Sequence, residues 1–269
     1  MSVQIAPSAV VDPKAKLGSD VRIGHFCVVG PDVRIGDRTR IEDHVTVQGV
    51  TQIGSDNQIF SHVSIGSHPQ DVSYRNTPTR VEIGNGNVLR EQVTINRASE
   101  KEEGITSVGD QNYFMTGTHI GHDARVGSRI VMANNCMIAG HVYIDDDVTI
   151  AGGAGIHQFA SVGRLSFVGA MSRIVRDVPP YMIVEGYDAR PRCVNTVGLK
   201  RHKYSEDDIA VLSRAFKLVF RQKIGIEKAR DALFAVGPIR PVLRHLFDCL
   251  DHTVGGRSGR GRDRRRKAA

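Results

Sequence analysis

The chain has 269 residues, 40% of them hydrophobic and 24% charged, with no Trp and only 6% aromatic side chains, which bounds it to one large or two unequal domains. Its formal net charge is +7, and +6 of that sits in the last 15 residues, so a basic body built around nucleic acid is not expected. Four scattered cysteines give no disulfide framework, and no signal peptide or bilayer-length apolar run is present, so the expected setting is a reducing cytoplasm with no membrane span.

From Ile5 an apolar residue recurs at every sixth position. The series runs through Val11, Leu17 and Ile23 to Ile65, then Ile83, Leu89 and Ile95, then Val108 to Ile174. No α-helix has a period of six, and a plain strand alternates with a period of two. A sustained hexad marks a parallel β-helix, a chain wound round a triangular prism. Twenty-six hexads, three to a turn of 18 residues, make between eight and nine turns. At the strand spacing the prism is about 40 Å long. The position four after the apolar residue, as in Val21, Cys27, Val33, Thr39, Val45 and Val63, reads as a second inward site. Cys136 shares it with Cys27, so both read as small buried residues. Twelve of the 26 hexad residues are followed by glycine, as at Gly18, Gly36 and Gly127, where sharp corners with φ > 0 are expected.

Two polar segments interrupt the count, at 67–80 and 97–106. Both read as loops thrown out from corners. The first is expected to carry binding residues, the second to be surface decoration. Beyond them, four histidines obey the 18-residue arithmetic. One turn above His122 is Gly140, beside His141, and two turns above is Gln158, beside His157; His119 lies three residues before His122. These five residues are expected to line one edge of the prism over three turns. A neutral imidazole there could deprotonate a hydroxyl attacking an acyl carbon. Asp123 would hold its tautomer, and the Gly140–His141 backbone would offer an N–H to the oxyanion. No Ser or Cys nucleophile stands beside them, which favours direct transfer. A zinc-dependent hydratase is the competing chemistry, but His119 and His157 are spaced too far from His122 to converge on one ion, so no metal is expected.

The hexads end near Ile174, and Pro179–Pro180 mark a break. Ser205, followed by Glu206, Asp207 and Asp208, has the form of a helix N-cap. Ile209, Leu212, Ala215, Phe216, Val219 and Phe220 continue at helical spacing. Further helices are expected at about 226–234 and 241–251. The last stretch is Gly and Arg with little else and reads as unable to pack. The expected division is a β-helix over 1–187, a helical domain over 188–254 and a disordered tail over 255–269. A non-catalytic scaffold or nucleic-acid binder acting through that tail is the distant alternative.

At the histidines the chain closely resembles the UDP-N-acetylglucosamine 3-O-acyltransferases that begin lipid A biosynthesis. The segments that carry the likeness are GPDVRIG, QDVSY, TRVEIG, THIGHD, AGHV, IHQF, DVPPY and VNTVGLKR. The resemblance implies a left-handed β-helix, a homotrimer with clefts between subunits, and transfer of a 3-hydroxyacyl group from acyl carrier protein to the sugar of UDP-GlcNAc. It implies no metal and no cofactor. It makes His122 the general base, Asp123 its orienting partner and Gly140 the oxyanion donor. It gives His119, His141, His157 and Gln158 to the sugar and acyl pocket, Gln70 and Asp71 to first-loop contacts, and Asn195 and Arg201 to the nucleotide. The chain departs from the family pattern at Ser73, where a lysine is usual, and at Val197 and His202; its chain-length region reads Ala170 and Asp188. A relative acting on a 3-amino UDP-sugar, or another hexapeptide-repeat acyltransferase, would share much of this pattern. Arg164, Arg173, Arg176 and Lys200 are candidate steering charges for an acidic carrier protein.

Overall fold

A computed structural model describes residues 2–254 and 259–263. Among them three sheets of 11, 9 and 8 strands, parallel throughout except for the last strand of the first, form the walls of a prism, called here A, B and C, which the chain visits in that order on every turn. The wall-to-wall path is a left-handed parallel β-helix. Register follows the hexads: Ile5 pairs with Ile23, Ile23 with Ile41 and Ile41 with Ile59. In sheet A the step lengthens only where Ile59 meets Leu89 and Leu89 meets Phe114, the turns from which the two loops leave.

The hexad residues fill the interior. Ile53, Ile59, Ile65, Leu89 and Ile120 are completely or almost completely buried, each removing apolar surface worth roughly 1.5–3 kcal/mol. Ile5 stays 45% exposed because no turn lies beneath it. The second inward site is equally closed, with Val21, Cys27, Val33, Thr39 and Val45 at 0%. At three successive turns it holds asparagine instead. Asn57 Oδ1 accepts from the Asn87 amide, Asn87 Oδ1 from the Asn112 N–H, and Asn112 Oδ1 from the Ile130 N–H. This buried ladder satisfies itself turn by turn.

Of the twelve corner glycines only Gly66 takes the positive φ expected, at +81°; most of the others have a different cause. Gly36 does not adopt positive φ; a Cβ there would lie 2.6 Å from the Gly54 carbonyl carbon of the next turn. Glycine follows the hexad residue because stacked corners touch. The left-handed conformation falls instead to non-glycine residues such as Asp20, Arg38 and Asp56 on one edge and Phe26, His44 and His62 on another.

Past Ile174 the chain crosses the top of the prism. Met182–Glu185 adds a last parallel strand to sheet A, and Arg190–Val194 folds back antiparallel on it. The expected boundary between 187 and 188 therefore falls in the turn of a hairpin. A short helix α1, Thr196–Arg201, was not expected; it buries one side chain, Leu199, too little to leave a periodic signal. Helix α2, Glu206–Phe216, starts at a capping box of Ser205 and Asp208 and runs on through a π turn to Arg221. Helices α3, Ile226–Phe234, and α4, Pro241–Val254, complete the set. Leu212, Leu246 and Phe247 pack with Tyr181 and Met182, so the helices sit on the hairpin. Of the stretch expected to be disordered, 255–258 and 264–269 lie outside the described residues. Gly259–Arg262, however, form a single 3-10 turn packed on the prism.

Candidate active site

Both loops leave the corner between sheets B and C, and His122, His141 and His157 stand on the same corner in later turns. The winding thus gathers onto one edge what the chain spreads over some 90 positions. His119 sits at the end of its strand on sheet B, beside that edge, and its Nδ1 lies 2.7 Å from Thr94 Oγ1.

His122 Nδ1 lies 2.7 Å from Asp123 Oδ2. Adjacent side chains on a straight strand would point apart; here Asp123 takes φ +60°, which curls the corner and turns its carboxylate back to its neighbour. The second loop completes the arrangement. Ser99 gives Asp123 Oδ2 two further hydrogen bonds, from its backbone N–H at 3.0 Å and its hydroxyl at 2.7 Å, while Thr106 Oγ1 accepts the Asp123 N–H. Burial acts to raise the Asp123 carboxyl, but the hydrogen bonds from His122 and Ser99 outweigh it and hold the group below its ordinary value. An ionised Asp123 can only accept, so in the neutral imidazole His122 Nδ1 carries the proton and Nε2 presents the lone pair.

The imidazole of His122 lies on Gly140. A Cβ at 140 would come within 2.6 Å of the ring's Cε1 and 2.7 Å of Nε2. Among the described residues the Gly140 N–H donates to no backbone acceptor, whereas His141 N–H on the next peptide goes to His122 O. A base and an uncommitted amide therefore stand side by side. Burial lowers the His119 pKa, and His122 nearby adds to the effect.

His141 is 1% exposed, stacked parallel on Phe159 with centroids 4.4 Å apart and edge-on to His122. It supports the His122 ring from behind instead of opening onto a pocket. His157 is exposed and Gln158 partly so. Asp71 of the first loop makes an ion pair with Lys101 of the second, and Ser73 caps the same carboxylate through its N–H and hydroxyl. Gln70 is exposed beside it. The loops brace each other, and Ser99, Thr106, Lys101 and Glu102 are site-shaping residues that the sequence reading missed. The signal was faint: a single Ser in a charged loop has no period.

Asn195 and Arg201 are not on this edge. Asn195 is 8% exposed; its Nδ2 donates to Leu165 O on the corner between sheets C and A, and its Oδ1 caps α1. Arg201 is exposed in the last turn of the same helix. The candidate steering charges are also engaged. Arg164 bonds Asp147, Arg176 and Lys200 pair with Asp188 and Glu206, and Arg173 lies over Tyr187. His122, Asp123 and His141 place ligand-type atoms within 4.8 Å of one another. Asp123 Oδ2 accepts three hydrogen bonds, one from His122 and two from Ser99, and the first of them orients the His122 ring.

A prism of hexads with an aspartate-oriented histidine on one edge fits a hexapeptide-repeat acyltransferase. Residues 14–49 match the bacterial transferase hexapeptide family, and 177–261 match the second domain of the UDP-N-acetylglucosamine O-acyltransferases. A relative from Alkalilimnicola ehrlichii, named acyl-[acyl-carrier-protein]–UDP-N-acetylglucosamine O-acyltransferase, is 50% identical over 90% of this chain and 94% of its own. Solved UDP-N-acetylglucosamine acyltransferases superpose closely. That of Bacteroides fragilis gives a TM-score of 0.90 at 31% identity over 93% of this chain and 98% of its own. That of Francisella novicida gives 0.88 at 35% identity over 92% and 91%. The chain belongs to the acyl-[acyl-carrier-protein]–UDP-N-acetylglucosamine O-acyltransferase family, and it is an acyltransferase.

Proposed function

We propose that the protein moves a 3-hydroxyacyl group from acyl carrier protein to the glucosamine 3-hydroxyl of UDP-GlcNAc, the opening step of lipid A synthesis, with His122 as general base. His122 Nε2 takes the proton of the sugar hydroxyl as its oxygen attacks the thioester carbonyl. The Gly140 N–H donates to the oxyanion, and Asp123 stabilises the imidazolium that forms. Collapse expels the carrier thiolate, which recovers the proton from His122. The observation that carries this reading is the His122–Asp123 bond set directly over an unengaged Gly140 amide.

His119, His157 and Gln158 flank the base as sugar and acyl contacts, with Gln70 and Asp71 below them. Asn195 and Arg201, on another corner, reach the nucleotide from a neighbouring copy in a homotrimer. The outward row of sheet B supports such a contact. Val10, Val28 and Met137 are exposed there, and the row carries no fixed charge before Arg173. Among the described residues no helix is long and apolar enough to cross a membrane, in keeping with a cytoplasmic enzyme. The β-helix over 1–187 carries the chemistry, and the helices over 188–254 form its second domain. An assay with UDP-GlcNAc and a series of 3-hydroxyacyl carrier proteins tests the reaction. Acyl transfer is expected, and His122→Ala should reduce it by about two to four orders of magnitude with the oligomer intact. A variant with near-normal rate would remove the mechanism.

A further inference from the structure

Acyl transfer leaves one built feature of the B–C edge unused. Arg262 ends in a cage on the prism wall. Its guanidinium carbon lies 3.5 Å from the Tyr143 ring centroid and 5.8 Å from that of Phe159. Nη1 donates to Glu102 Oε1 at 3.1 Å, and Nη2 donates to His141 O at 2.6 Å and Phe159 O at 3.5 Å. Two residues earlier, Arg260 Nη1 donates to Gln158 O at 2.7 Å and to His157 Nδ1 at 2.6 Å. The Arg260 N–H meets Asp177 Oδ1 at 2.9 Å. Both arginine side chains are only 14% exposed. A solvated charge run would leave them in water.

The cage has the chemistry of a guanidinium site. A ring face takes a flat cation by stacking, a carboxylate and two carbonyls take its forked N–H groups, and an ammonium fits such a place poorly. Glu102 is suited to the part. Burial acts to raise its carboxyl, but His141 and Arg262 hold it below its ordinary value.

We propose that Glu102, Tyr143, Phe159 and the His141 carbonyl form a guanidinium-binding cage whose ligand is Arg262 of the same chain, and that this latch holds the C-terminal segment over His157 and Gln158 in competition with substrate. The second half rests on the assignment of His157 and Gln158 as substrate contacts. The latch engages groups on the substrate edge while leaving the His122–Asp123 pair untouched. It therefore acts on binding and not on the chemical step.

The test compares full-length wild type, Arg262→Lys and Arg262→Ala. Trypsin cleavage after Arg260 under native conditions reads the latch, because a protease cuts the segment only when it lifts. Arg262→Ala should be cut about tenfold faster, with Arg262→Lys between, as expected from the loss of charge-assisted bonds. In the acyl-transfer assay Arg262→Ala should lower KM for UDP-GlcNAc or for the acyl donor about tenfold at unchanged kcat. Equal cleavage rates overturn the cage. Faster cleavage with both KM values unchanged or raised overturns the competition. If wild type moves no acyl group, the assigned reaction fails, while the cleavage contrast still decides the cage.

Discussion

His122 is a base because of what stands on either side of it. Asp123 fixes its proton on Nδ1, and Gly140 lets the ring lie flat against the next turn. The same residues set a pH signature in stability. Burial, with His122 nearby, keeps the folded His119 pKa below its ordinary value, whereas an unfolded imidazole titrates near 6.5. The unfolded chain then binds more protons, so this contribution is complete above about pH 6.5 and is lost as pH falls toward the folded value. Asp123 follows the same sign lower down, complete above about pH 3.9 and lost below. Thermal unfolding should therefore show two acid limbs, and His119→Asn should remove the upper one alone. An unchanged upper limb in that variant would contradict the assignment.

The second loop turns a prism corner into a positioned pair. Ser99, completely buried, supplies two of the three hydrogen bonds on Asp123 Oδ2. Ser99→Ala removes the hydroxyl bond to a buried carboxylate, a loss of about 1.5–3 kcal/mol. The acyl-transfer rate should fall about tenfold or more, and Ser99→Thr should recover most of it. Recovery with Thr but not Cys would separate orientation of Asp123 from simple filling of space. This element was the least legible in the sequence. The hexads, in contrast, were read with their registers, because a six-residue period forces every inward residue onto the one 18 positions on. Helices α2 to α4 were also visible, through the Ser205 cap and apolar spacing. Helix α1 and the Gly259–Arg262 turn were not, since each is held by contacts from distant parts of the chain.

In a single copy the histidine edge and the Asn195–Arg201 corner lie on different edges of one rigid prism. The proposed site is complete only if a second copy brings its corner to the first copy's edge. Mixed assemblies test this directly. His122→Ala and Arg201→Ala chains, each inactive or impaired alone, should regain activity when co-assembled, since some clefts then pair an intact edge with an intact corner. No recovery, in assemblies shown by mass to be mixed, would place both residues in one copy's site.

Sequence by itself determined the prism, its two loops and the stripe of His122, His141 and His157, because a periodic winding converts separation in the chain into height on an edge. Tertiary structure decided what that periodicity leaves open. It showed that corner glycines answer to contact between turns, that His141 backs the base from a closed niche, that the second loop clamps Asp123, and that Arg260 and Arg262 pack instead of trailing in water. Each of these depends on side chains meeting across unequal, non-repeating stretches of chain, and no local pattern encodes such meetings.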